Sequence, residues 1–172
     1  MYLYLKQYLV NCIENINKNI FIVISIDERF EFLNNLADYF TDHNVKFKFI
    51  AVGKKVPSTI NKNIIHLEKT LLPEDLKDDL ENSKIFLDLI RHGHNGLSFR
   101  IFEALAMQRK IITTNKSISQ YDFYNPNNIL ILDENKPINI KHDFFTTPYE
   151  PLSDEMYHKY TIENWVKTVF KI

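Results

Sequence analysis

The chain has 172 residues, which is enough for one ordinary domain and too few for two. Hydrophobic residues make up 45% of it, which argues against a disordered chain, and 21 basic against 22 acidic residues leave a net charge of −1. No basic block stands out, so we expect no nucleic-acid partner. The single cysteine, Cys12, excludes an intrachain disulfide and fits a reducing compartment. No apolar run approaches the ~20 residues of a membrane span. We therefore expect a cytoplasmic protein, with the inner face of the cytoplasmic membrane as the alternative location.

Strands and helices are predicted to alternate along the chain. An apolar stripe at helical spacing over residues 3–16 predicts an N-terminal helix; its members are Leu5, Tyr8, Leu9, Cys12, Ile13 and Ile16. Continuous apolar runs or β-branched alternation predict six strands: Ile20–Ile26, Val45–Val52, Ile64–Leu67, Ile85–Ile90, Ile111–Thr114 and Ile129–Leu132. Helical spacing predicts a helix with an inner face of Phe30, Leu33, Ala37 and Phe40, and two further helices over about 73–82 and 97–109.

The end of the chain is predicted to differ from this regular alternation. Residues 137–151 carry no clear period and are expected to be irregular. One last helix over about 154–170 is expected to turn its aromatic and apolar side chains toward the body of the domain. These side chains are Tyr157, Tyr160, Trp165, Val169 and Phe170.

This alternation predicts an α/β fold: a doubly wound, Rossmann-like parallel sheet of about six strands with helices on both faces. We expect a single domain made of an N-terminal helix (1–18), an α/β core (19–152) and a closing C-terminal helix (153–172). In such sheets ligands bind at the carboxyl ends of the strands.

The segment from His94 to Met107 carries the strongest functional signal. It joins a predicted strand to a predicted helix, and two of the three glycines of the chain, Gly93 and Gly96, lie in or beside it. The backbone amides of such a corner and the helix dipole favour a phosphate, here around Gly96, Leu97 and Ser98. A carboxylate on the following helix, Glu103, can accept hydrogen bonds from sugar hydroxyls. Together these features predict a nucleotide or nucleotide-sugar site.

The same residues give the chain a resemblance to a known family. Three segments carry it: Leu87 to Ile90, Asn95 to Leu105 and Lys110 to Asn115; Tyr121 to Pro126 and Trp165 recur as well. They resemble the C-terminal, donor-binding half of GT-B glycosyltransferases of bacterial lipopolysaccharide and capsular polysaccharide biosynthesis. The resemblance covers about residues 20–170.

The resemblance implies a function and a set of roles. It implies that the chain is one half of a hexosyltransferase, which transfers a sugar from a nucleotide sugar to a glycan or lipid-linked acceptor. We expect the nucleotide sugar to be a UDP-sugar. The loop before the helix would hold the donor diphosphate, with Asn95, His94 and Arg100 beside it. Glu103 would bind the ribose, and Arg29 would lie near the phosphates. No cofactor or metal is expected, because backbone dipoles and arginine can neutralise the diphosphate.

Two departures from the family bear on the mechanism. Many retaining members have a second Glu eight positions before the one that matches Glu103, and here that position is Asn95. Retaining chemistry is therefore not carried over, and the catalytic residues stay unassigned. A complete GT-B enzyme also has two Rossmann-like domains, so the acceptor half would come from a longer protein, a separate chain or a second copy. A non-catalytic module that binds a nucleotide or a partner is the alternative function.

Several of these residues also have a simpler interpretation. Glu103 could pair with a basic side chain, Ser98 could cap the helix, and Arg100 could lie along it. Arg29 could pair with the acids at positions 27 and 28. His92 and His94 form a His-Gly-His pair, which without a further ligand at a recognisable spacing predicts cleft-lining histidines rather than a metal site.

Two acids are expected to have structural roles. Asp88 lies inside an apolar strand, where a carboxylate needs hydrogen bonds, so we expect it to brace the loop that follows. Asp122 lies in a turn-rich link and is expected to act in capping or turn formation.

Overall fold

A computed structural model describes residues 18–171 of the chain, so the predicted helix over 3–16 lies outside the described residues. Six strands form one sheet: β1 (Lys18–Ser25), β2 (Phe47–Val52), β3 (Ile64–Leu67), β4 (Ser83–Asp88), β5 (Lys110–Thr113) and β6 (Ile129–Ile131). Every neighbouring pair of strands is parallel. The predicted fold class and the strand number are confirmed.

The strand order across the sheet is β3-β2-β1-β4-β5-β6. The chain builds outward from β1 on one side, crosses back to β4, and then builds outward on the other side. The carboxyl ends of β1 and β4 therefore form the point where the winding direction reverses. In doubly wound sheets the crevice at this switch point is where ligands bind.

Helices connect the strands and cover the sheet. They are α1 (Phe30–Asp42), α2 (Pro73–Glu81), α3 (Phe99–Ala106), α4 (His142–Thr146), α5 (Asp154–Lys159) and α6 (Ile162–Phe170), with a 3₁₀ turn at Lys116–Gln120. The α3 helix is shorter than the 97–109 predicted for it. The short α4 helix lies in the segment 137–151, which was predicted to be irregular.

Two hydrophobic clusters occupy the two faces of the sheet. Successive residues of β4 show this division, since Ile85 and Leu87 belong to the cluster that contains α1, while Phe86 belongs to the one that contains α3. Strand residues alternate between faces, so a strand covered on both sides reads as a continuous apolar run. This is why the runs in the sequence located the strands well.

The C-terminal region differs from its prediction. Two helices replace the single one expected, because Thr161 begins a new helix: its Oγ1 accepts a hydrogen bond from the Asn164 backbone N–H at 3.3 Å. Tyr157 and Tyr160 are partly buried, as predicted. Trp165, Val169 and Phe170 are more than half exposed, so the prediction that they face the body was wrong.

Asp122 ties this region to the core. Its carboxylate accepts hydrogen bonds from the Lys159 ammonium and the Tyr160 hydroxyl. The Tyr160 ring packs edge-on against Phe123, with 4.8 Å between the ring centroids. Asp122 thus fastens α5 to the link before β6, instead of the local capping or turn role that its sequence position suggested.

Candidate functional site

The candidate site lies at the switch point, at the carboxyl ends of β1 and β4. Three segments meet there: residues 26–29 after β1, residues 89–98 between β4 and α3, and the residues that follow β5. The segment 89–98 contains most of the residues singled out from the sequence, and we call it the β4–α3 loop.

Asp88 braces the β4–α3 loop from below. It is the last residue of β4, and its side chain is nearly buried, at 5% exposure. The Ser98 hydroxyl donates to Oδ1 at 2.7 Å and the Thr113 hydroxyl donates to Oδ2 at 2.8 Å. These two bonds compensate a carboxylate that is removed from water. The expectation that Asp88 braces this loop is confirmed.

A second set of contacts fixes the middle of the loop. The Asn115 side-chain amide donates to the carbonyl of Gly96 at 3.0 Å, and the Ser117 hydroxyl donates to the carbonyl of Asn95 at 2.9 Å. Asn115 is itself buried at 1% exposure, and its backbone N–H donates to the Thr113 hydroxyl. No role was predicted for Asn115 from the sequence, although its position directly after a buried strand was a signal for one.

The start of α3 has no side-chain cap. Ser98 is the residue before the helix, as predicted, but its side chain makes no capping hydrogen bond because the hydroxyl points to Asp88. The capping role proposed for this side chain was therefore wrong. Without it, first-turn amides of α3 lack their usual side-chain acceptor and can donate to a phosphate oxygen. The Leu97 side chain packs on the α3-side core, which fixes the entry into the helix.

The two glycines of the loop have different roles. Gly93 has φ of +80°, in the left-handed region that disfavours other residues. Gly96 has no such backbone angle, and nothing lies within 4 Å of where a Cβ would be. Glycine is therefore required for the turn at position 93. At position 96 its only contribution is open space beside the start of α3.

Arg29 has a structural position. Its guanidinium donates twice to the Asp27 carboxylate, at 2.8 and 2.5 Å, and its Nη1 donates to the carbonyl of Leu89 at 2.9 Å. Arg29 therefore pairs with Asp27, as the simpler interpretation suggested, and joins the ends of β1 and β4. Burial pushes the pKa of Asp27 upward, but the hydrogen bonds from Arg29 and Arg91 outweigh it and hold the pKa below its ordinary value.

Arg91 is the most exposed of the arginines at positions 29, 91 and 100. Its Nε donates to Asp27 at 3.2 Å, while its side chain is 51% exposed, compared with 15% for Arg29. Arg91 was not among the site residues predicted from the sequence. Its position directly after a predicted strand end was the signal, since such residues lie on the ligand-binding rim.

Arg100 and Glu103 form a pair on α3. Arg100 Nη1 lies 2.7 Å from Glu103 Oε2, without the alignment of a hydrogen bond. The guanidinium carbon lies 5.6 Å from the Phe86 ring centroid and 6.0 Å from that of Phe21, so it packs over the sheet face. The simpler interpretation of Glu103, pairing with a basic side chain, is thus observed, whereas Arg100 packs against the sheet instead of lying along its helix. A ribose that bound Glu103 would have to compete with Arg100 for the carboxylate.

His92, His94 and Asn95 are all exposed on the rim of the loop. His92 Nε2 lies 3.6 Å from the Glu134 carboxylate, and the backbone N–H of His94 donates to the carbonyl of Arg91. Within residues 18–171 no group of three or more His, Cys, Asp or Glu side chains is arranged to hold a metal ion.

Comparisons with protein-family models, with curated proteins and with solved structures found no match for this chain. Among the helices of residues 18–171, none combines the length and the apolar character that crossing a membrane requires.

Proposed function

We propose that this chain is the donor-binding domain of a glycosyltransferase that uses a nucleotide sugar, a UDP-sugar in the first instance, to build a surface polysaccharide or lipopolysaccharide. The observation that carries the proposal is the arrangement of residues at the β1/β4 switch point. There a braced loop leads into α3, the side chain of Ser98 makes no capping hydrogen bond to the first-turn amides, and the half-exposed Arg91 side chain contacts Asp27 after β1.

The proposed chemistry of this domain is electrostatic. Amides at the start of α3 and the Arg91 guanidinium would stabilise the charge that develops on the departing diphosphate. We assign this role to Arg91 because its side chain is half exposed, whereas the side chains of Arg29 and Arg100 are mostly buried against other residues. Glu103 would hold the ribose, in exchange for its pairing with Arg100, and so fix the donor.

The acceptor and any general base would come from outside residues 18–171. In this proposal they belong to a further part of a longer protein, a separate acceptor-binding chain or a second copy. The acceptor would be a glycan or a lipid-linked glycan at the cytoplasmic side of the membrane.

Thermal unfolding with UDP, GDP, CMP and ADP tests donor binding. A ligand at 100 times its dissociation constant stabilises the folded state by ~2.7 kcal/mol, which for a domain of this size raises the midpoint by roughly 5–10 °C. We expect one nucleotide to give such a shift. The absence of a shift with all four nucleotides, at millimolar concentration, would contradict the proposal.

Single substitutions then locate the binding site. Arg91→Ala should reduce the shift by weakening diphosphate binding, and Glu103→Ala should reduce it by removing the ribose contact. The matched control is Lys77→Ala, which removes the same charge from an exposed position on α2. If the control variant lost as much of the shift as Arg91→Ala, general charge rather than the crevice would explain binding.

A non-catalytic binding module is the second candidate function. The observation in its favour is a broad exposed apolar surface beside α3, which is suited to a protein partner. Transfer assays with UDP-sugars, on the purified chain and after addition of cell extract, separate the two functions. Nucleotide binding without turnover in either assay would favour the module.

A further inference from the structure

An apolar groove runs along α3, from its first residue, Phe99, to its last, Ala106. It has a volume of about 670 Å³ and lies between α3 and the C-terminal helices. Its lining is mainly aromatic or aliphatic, with Phe99, Phe102, Leu152, Tyr157, Tyr160 and Trp165, and Glu103, the proposed ribose ligand, lines it as well. Among these, Phe99 and Trp165 are 77% and 55% exposed, so the groove opens to solvent along its length.

The exposed apolar surface continues from the groove onto α6. Ile162 is 75% exposed and Phe170 is 64% exposed, and Val169 is also more than half exposed. Within the described residues no element packs over this face. Single exposed apolar side chains are ordinary on a protein surface, but here several large ones lie next to each other. A continuous exposed apolar area of this kind is typical of a docking site.

We propose that residues 1–17 of this same chain dock in the groove. This segment carries six apolar side chains at helical spacing, including Leu9, Ile13 and Ile16. An amphipathic helix is stabilised by burying such a stripe against an apolar surface. The groove and the stripe are both apolar, so docking would remove both surfaces from water.

The connection of the segment to the sheet suits this placement. Residue 18 begins β1, and in the sheet register Ile20 lies beside Ile85, which lies beside Lys110 at the start of β5. Two strand spacings, about 10 Å, separate these positions. The α3 helix ends at Ala106, which lies four residues before Lys110 and lines the groove. The Ala106 end of the groove and the start of β1 therefore lie at the same end of the sheet, where the strands begin.

The length of the segment is also sufficient. As a helix, 17 residues extend about 25 Å, roughly twice the length of the eight-residue α3. A covalent tether of this kind produces an effective concentration in the millimolar range. That is well above ordinary protein concentrations, so the segment competes effectively with a second copy for the same surface.

Cross-linking through Cys12 tests the proposal, because Cys12 is the only cysteine of the chain. A second thiol is introduced in the full-length chain by Ala106→Cys or, separately, by Ile162→Cys, both at exposed groove positions. The matched control is Ser58→Cys, at an exposed position on the loop after β2. With a short bis-maleimide, we expect intramolecular links to the groove thiols to form at least about tenfold faster than to the control.

Substitution of the stripe completes the test. Leu9→Asp together with Ile13→Asp should reduce the rate at both groove positions to that of the Ser58→Cys control, while circular dichroism confirms that the domain remains folded. Three results would overturn the proposal. They are equal rates at groove and control positions, rates unaffected by the aspartates, and cross-linked dimers in place of monomers, which would assign the groove to a second copy.

Discussion

Replacing Ser98 with alanine should destabilise the domain by breaking the hydrogen bond to Asp88, and not by removing a helix cap. The two explanations require different hydrogen bonds of the Ser98 hydroxyl. A capping hydroxyl accepts from a first-turn amide, whereas here the hydroxyl donates to the Asp88 carboxylate at 2.7 Å and no capping bond is made. The choice matters for function, because it decides whether first-turn amides of α3 are free for a phosphate.

The size of the effect follows from the contacts. A hydrogen bond to a charged group contributes about 1.5–3 kcal/mol, and partial exposure of Ser98 reduces this to about 1–2 kcal/mol for Ser98→Ala, since water can partly replace the hydroxyl. Asp88→Ala should cost more, about 3–5 kcal/mol, because it also leaves the fully buried Thr113 hydroxyl without its acceptor.

A double-mutant cycle distinguishes the two roles. If Ser98 acts through Asp88, the free-energy cost of Ser98→Ala should nearly vanish in the Asp88→Ala background, which corresponds to a coupling of about 1–2 kcal/mol. Urea unfolding gives the free energies, and the single change Ser98→Ala should lower the thermal midpoint by about 2–8 °C. Additive costs, with Ser98→Ala still destabilising by about 1 kcal/mol without Asp88, would refute the brace and support a cap.

Three further predictions concern single positions. Gly93→Ala should destabilise by about 1 kcal/mol in urea unfolding, because φ is +80°, while Gly96→Ala should change stability by about half as much or less. The pKa of Asp27 is held below 3.8, so its ion pair with Arg29 should stabilise the fold fully above that pH and lose this contribution as the pH falls through the folded-state pKa. In the Asp27→Asn variant, the free energy of unfolding measured between about pH 5 and pH 3 should not show this loss. Burial lowers the pKa of Lys110 from 10.5, so wild-type stability should rise relative to Lys110→Met as the pH approaches 10.5 from below; an unchanged difference would contradict the burial effect.

The sheet was predictable because its strands are buried on both faces. Such strands read as unbroken apolar runs, and the residues that interrupt the runs, such as Gly53 and Pro73, mark loops and helix starts. The predicted strand ends fall within two residues of the observed ones. The expected position of Asp88 as a loop brace followed from the same logic, since an acid in an apolar strand needs partners nearby.

Contacts between residues far apart in the sequence could not be predicted from local sequence patterns. The sequence offered Arg29 and Arg100 as phosphate ligands, yet Arg29 is held by Asp27 and Leu89 and Arg100 lies over Phe86. Which arginine is available to bind a phosphate depends on contacts with residues that are up to 60 positions away in the sequence. The exposure of Trp165 could not be predicted from the sequence either. An apolar stripe on a helix indicates that one face is apolar, but not which surface that face packs against.

We propose that a diphosphate binds where the β4–α3 loop enters α3. Backbone amide chemical shifts of ¹⁵N-labelled protein, recorded during titration with UDP and in parallel with inorganic pyrophosphate, test this proposal most directly. We expect saturable shifts with both ligands that concentrate on residues 91–100. Shifts confined to α5 and α6, or no saturable change with either ligand, would contradict the proposal.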